Sequence, residues 1–278
     1  MVNTKCTRFW IKELRLENWK LNHQDATVFC KSQWFKDQTK ASKLYMIYRW
    51  LIVIFVFFGG IFYDMINDIT YKQCKLSQLH CKLIWPVYLT NWNTTLLFLQ
   101  STLAAFLVTR HCICPKKSSN TMSAIHKAYW TLYNMSSGLA PIVTCMFWIF
   151  EYKPEIHDLD YVNLREHAVF TIIVLIDVLV CAHPMRLLHL YQVGALGLGY
   201  VTFSLIYFLF GGINRQDQPY IYDILDWNHF WQAAFVAIGT LVFECFVFFT
   251  LWTVNLARRK MASKFSCVEN ENAQENKV

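Results

Sequence analysis

The sequence predicts an all-α, polytopic membrane protein, a bundle of about six transmembrane helices with both termini in the cytosol. Three observations carry that prediction. Hydrophobic residues make up 55% of the 278 and aromatics 17%, while charged residues are only 16%, a balance that a water-covered domain cannot hide. Six segments meet or approach the roughly 20 apolar residues that a helix needs to cross a hydrocarbon core about 30 Å thick. Of the 26 Lys and Arg, 19 fall on one set of alternate connections and 6 on the other, the asymmetry that keeps basic loops in the cytosol.

The chain opens with a polar, basic stretch, residues 1–43, that lacks the apolar core of a cleaved signal peptide, so the first hydrophobic segment serves as its own anchor. Within it Trp10, Leu14, Trp19 and Leu21 sit among Lys12, Arg15 and Lys20. That pattern suits an interfacial amphipathic helix or, equally, a loose arm. The expected spans are 44–62, 85–108, 129–150, 168–188, 193–213 and 230–254, giving a transmembrane domain over 44–254. In the fourth the clean apolar run ends at Ala182, and Pro184 stops or kinks it. Arg49, near the cytosolic end of the first span, is expected to snorkel to the headgroups. The third connection carries Glu151, Glu155, Asp158, Asp160 and Glu166, which suits the outer or lumenal face. Residues 255–278, rich in Asn and Glu, read as a disordered cytosolic tail. The net charge of +7 is that of a protein facing anionic lipid, with the bilayer and not nucleic acid as its partner.

Cys74 and Cys81 share the first non-cytosolic connection, where an oxidising compartment favours a disulfide between them. Cys112 and Cys114, at the cytosolic end of the second span, are lipidation candidates, with two free thiols as the plainer reading. Together with His111 they supply only three ligands, too few for a structural zinc, and no metal or cofactor is implied. Asp177, mid-span in the fourth helix, and Glu244, past the middle of the sixth, are the intramembrane acids. Such groups are costly enough to be functional candidates, the alternative being interhelical hydrogen bonding. The second span is unusually polar, and helical spacing places Thr90, Asn93, Thr94 and Ser101 near one face, which should look into the bundle. His183 and His189 read as interfacial residues.

Ser32-Gln33-Trp34, Tyr48-Arg49-Trp50 and Tyr88-Leu89-Thr90-Asn91-Trp92 resemble the rolling stone family of multispan membrane proteins. The likeness implies a developmental role in myogenesis, the fusion of myoblasts, with partners at cell contacts and residence at the plasma membrane or in the endoplasmic reticulum. Tyr88-Leu89-Thr90, together with the run from His167 to Asp177, is more distantly similar to the androgen-induced family of membrane hydrolases. That similarity implies a lipid-ester substrate, Thr90 as nucleophile and His167 as its base. Asn91 and Trp92 depart from the hydrolase pattern. Thr90 lies roughly 7 Å inside the non-cytosolic boundary, and His167 opens the fourth span on the same side, so the two can share a leaflet. Asp177 lies about 15 Å further along and about 80° around the helix, out of reach of that imidazole. A bland alternative has Thr90 bonded back to its own helix and His167 at the interface. A small transporter or channel using Asp177 and Glu244 is a third class, against which stands the lack of a repeat or broken-helix pair.

Overall fold

The computed structural model describes residues 4–34, 43–66, 74–114, 121–155 and 159–275. Its helices are α1 (Thr4–Glu13), α2 (Lys43–Ile66), the short α3 (Gln78–Leu83), α4 (Leu89–Ile113), α5 (Ala124–Glu151), α6 (161–180), α7 (Leu190–Leu209) and α8 (Phe230–Glu275). Five of these segments are long and apolar enough to cross a membrane. The remaining bundle helix, α6, has a continuous helical run of similar length, but it carries Arg165, Glu166 and Asp177. All three charges are buried in the bundle.

Contacts at the helix ends fix an alternating arrangement. The start of α2 meets the end of α6, where Tyr45 lies 3.9 Å from the Cys181 sulfur. Asp64, at the other end of α2, meets Arg165 at the start of α6. Trp50 in α2 bonds Thr109 near the end of α4. Thr144 late in α5 bonds Thr171 in α6, Asn134 in α5 bonds Gln192 early in α7, and Arg258 in α8 bonds the Val178 carbonyl. Six helices therefore run up and down in turn, with the amino-terminal segment and the far part of α8 at one end. Small residues set the closest approaches: a β-carbon on Gly138 of α5 would meet Val193 of α7 at 2.5 Å, a spacing typical of membrane helix pairs.

Polarity is distributed as in a membrane protein. Trp231, Phe235, Ile238, Val242 and Phe246 form an exposed stripe at helical spacing along α8, while Glu244, Asn255 and Arg258 of the same helix are buried. Apolar side chains outside and polar ones inside are what a hydrocarbon solvent selects. The main core, at the terminal end, gathers Phe29, Tyr45, Leu107, Tyr129, Trp130 and Trp252.

Several boundaries differ from the sequence expectation, each for a local reason. The fourth helix lies a turn or more earlier than 168–188: the Asp160 side chain caps it by accepting from the Asn163 amide, and it ends at Val180, leaving Pro184 outside. The last helix runs past 254 to Glu275, and Asn255 and Arg258 on it are docked by bonds to the Met185 amide and to the Val178 and His183 carbonyls. The amino-terminal stretch is likewise part of the folded body at least over 26–34. Phe29 is buried against Trp130 and stacks on His183, Ser32 bonds the Val180 carbonyl and Trp34 that of Leu179. Arg49 does not snorkel. It is 1% exposed and bonds Asp177 at 2.7 and 2.9 Å, because a carboxylate on the facing helix replaces the distant headgroups. His183 and His189 are buried, not interfacial.

Candidate functional site

The end of the bundle away from the termini holds a cavity of about 430 Å³. Three spans loosen into a π-helical turn there: Phe57–Phe62 in α2, Phe147–Glu151 in α5 and Arg165–Val169 in α6. Such turns insert an extra residue and re-aim side chains, and they recur at functional sites. Two of them supply cavity residues directly, Phe147 and Glu151 from one, Glu166 and His167 from the other.

Thr90 and His167, 77 positions apart in the chain, both line this cavity. Thr90 stands in the first turn of α4, which starts after the one-turn helix Trp85–Val87. Tyr222, from the loop before α8, anchors that turn: its phenolic oxygen accepts from the Leu89 amide at 3.0 Å. Burial pushes the Tyr222 phenol up to about 12, so the phenol is neutral at physiological pH. His167 is buried, its ring face to face with Phe147 at 3.6 Å, and its carbonyl accepts from the Trp148 indole at 2.8 Å. It sits inside the helix, in the π turn, and does not open it.

Behind this wall lies a charged cluster. The Arg165 guanidinium donates to Asp64 at 2.7 Å, to Glu166 at 2.5 Å and to the Gly59 carbonyl at 2.6 Å. The second oxygen of Glu166 accepts from Thr94 at 2.9 Å. Asp64 and Glu166 also face the cavity, so one guanidinium serves two carboxylates there. Sequence reasoning assigned Arg165 and Glu166 to a loop and passed over Asp64. The signal that would have found them is Asp160, a helix cap that moves both into a span. Asn93, Thr94, Gln100 and Ser101 are buried, so the polar face of α4 does look inward.

The other named residues lie elsewhere. Asp177 belongs to the opposite half of the bundle, bonded by Arg49, Tyr48 at 3.2 Å and Gln100 at 3.2 Å. Glu244 is buried beside a small space that adjoins the cavity. Cys74 and Cys81 form a disulfide ahead of α4, their α-carbons 6.3 Å apart. Cys112 packs at the end of α4 and Cys114, just past it, is exposed.

Helices that are apolar outside and charged inside, crossing in alternation, define a multi-pass integral membrane protein. Residues 1–275 match the family described as Protein rolling stone, and the chain belongs to that family. It is 29% identical over 273 residues, 94% of each chain, to the Drosophila melanogaster protein named Protein rolling stone. No solved structure matches.

Proposed function

We propose that this protein serves myoblast fusion by cleaving a lipid ester in the cavity. The observation that carries the chemical part is that Thr90 and His167, from different spans, line one cavity. The fusion role is what the resemblance to the rolling stone family implies. In this reading His167 takes the Thr90 proton as the threonine oxygen bonds to the ester carbonyl carbon. The neutral Tyr222 phenol donates a hydrogen bond to the developing oxyanion. The carbon–oxygen bond to the alcohol then breaks, the alcohol leaving with the proton from His167. Water, deprotonated by the same imidazole, releases the fatty acid and restores Thr90. The basic connections and both termini face the cytosol, the cavity opens toward the other leaflet, and the plasma membrane is the favoured location with the endoplasmic reticulum as the alternative.

A fluorophosphonate probe on purified wild-type protein tests the chemistry. Labelling is expected, Thr90→Ala should abolish it, and His167→Ala should slow it by about a hundredfold or more, the lower range of a lost general base. Folded wild-type protein that does not label, or labelling that survives Thr90→Ala, contradicts the mechanism and leaves a structural or signalling role in fusion.

A further inference from the structure

Asp177 and Glu244 are both acidic side chains inside membrane-spanning helices, yet they are treated differently. Asp177 faces Arg49. Among the described residues no hydrogen-bond or ion-pair partner reaches Glu244, which is 3% exposed. Its carboxylate lies against Gly197 of α7, one oxygen 2.6 Å from where a β-carbon on that glycine would stand. The glycine is what makes room for it.

The slot around Glu244 holds about 40 Å³ and is walled by Leu139, Ile142 and Leu241. It shares Leu89, Tyr200, Val201, Ala237 and Thr240 with the main cavity, so the two spaces adjoin along a common wall. Val236, Thr240 and Glu244 follow at intervals of four on α8. They share one face, and that face carries the wall from the main cavity to the carboxylate over roughly 12 Å.

A carboxylate among aliphatic side chains is expensive unless something pairs with it. A methyl end placed in the slot would complete the desolvation and supply nothing. A hydroxyl would offer one hydrogen bond, whereas an ammonium offers a charge and up to three donors. Tyr200, on the wall of both spaces, provides the aromatic neighbour that a cation favours. We propose that Glu244 is the anchor of a binding subsite for a protonated long-chain amine, its nitrogen on the carboxylate and its hydrocarbon along Leu89, Val201 and Ala237. The subsite concerns binding and does not rest on Thr90 acting as a nucleophile.

The test uses the full chain in phosphatidylcholine nanodiscs, with dodecylamine and the uncharged dodecanol as probes and thermal stabilisation as the readout. Dodecylamine should stabilise the wild-type protein at concentrations at least tenfold lower than dodecanol, a charge-assisted bond being roughly twice as strong as a neutral one. Glu244→Gln should bring the two probes to equal potency while leaving dodecanol unchanged. Gly197→Ala keeps the charge but puts a β-carbon 2.6 Å from the carboxylate oxygen and 2.8 Å from Leu241; by crowding the anchor it should weaken the amine more than the alcohol, and it serves if Glu244→Gln does not fold. Equal potency of amine and alcohol on the wild type overturns the proposal, as does an amine preference that survives either substitution. Loss of the amine preference with Thr90 labelling retained separates this subsite from the hydrolytic centre.

Discussion

The two halves of α6 each carry a buried ion cluster, and the two are built to opposite ends. Near its carboxyl end Asp177 is closed in entirely by protein: Arg49, Tyr48 and Gln100 bond the carboxylate, and the same guanidinium reaches Tyr45, Tyr129 and Cys181. The docked amino-terminal segment seals that end, with Phe29 on His183 and Ser32 against Val180. Near its amino end Arg165 divides itself between Asp64 and Glu166, and both carboxylates also face a cavity of about 430 Å³. Both clusters join α2 to α6; the first is a clamp closed within protein, and the second also walls a cavity. An ionisable residue inside a span therefore points to function when it faces space, and to assembly when other side chains already answer it.

Breaking the clamp should have the largest effect. Arg49→Ala leaves Asp177 buried and uncompensated, which costs roughly 3–5 kcal/mol and should show as a collapse in folded yield and thermal stability in detergent. Replacing both partners, Arg49→Met with Asp177→Leu, should recover most of the loss, because an apolar pair of similar volume needs no solvation. Failure of the double variant to recover would mean that the clamp does more than join helices.

At the cavity end the effect should be smaller and specific. Thr94→Ala removes a buried donor to Glu166, a loss of roughly 1–3 kcal/mol, and should disturb the cavity wall. Thr95→Ala removes only a bond back to the Asn91 carbonyl one turn earlier and should be near neutral, which makes it the appropriate control for Thr90→Ala. Equal effects of the two would erase the distinction between a built wall and ordinary helix polarity.

The smallest effect concerns the seal. His23, in the amino-terminal segment, packs edge-on against Phe29 and Trp130. Burial lowers its pKa below the ordinary 6.5, Arg186 and Arg259 add to that, and Asp25 opposes it. The folded form thus holds the neutral ring, so docking is complete above about pH 6.5 and weakens as the pH falls toward the lowered value. Limited proteolysis of the segment around residues 15–25 should accelerate modestly between about pH 7.5 and about pH 5.5. A rate independent of pH would show that His23 does not contribute to docking.

Much of this architecture is legible in the sequence, since helices in hydrocarbon are driven by long apolar runs that need no tertiary partner to be seen. The legible part stops where tertiary contacts decide. Arg49 looks like a snorkelling residue until its carboxylate partner, 128 positions away, is known. Phe29 and Trp34 look like tail residues, yet they close the end of the bundle. The fourth helix starts early because Asp160 caps it, and that shift carries Arg165 and Glu166 from a loop into the wall. In the candidate site, Thr90 and His167 could be named from the motifs alone. Tyr222, whose phenol accepts from the Leu89 amide, could not, because nothing local marks a loop tyrosine that folds back over a distant helix start.

The claim at the centre of this account is that the cavity performs chemistry needed for fusion. Its most direct measurement is rescue of fusion-defective myoblasts by the wild-type chain and by Thr90→Ala, at matched amounts of protein on the cell surface, with Thr95→Ala as control. The account predicts that wild type and Thr95→Ala restore multinucleate fibres and that Thr90→Ala does not. Full rescue by Thr90→Ala would contradict it.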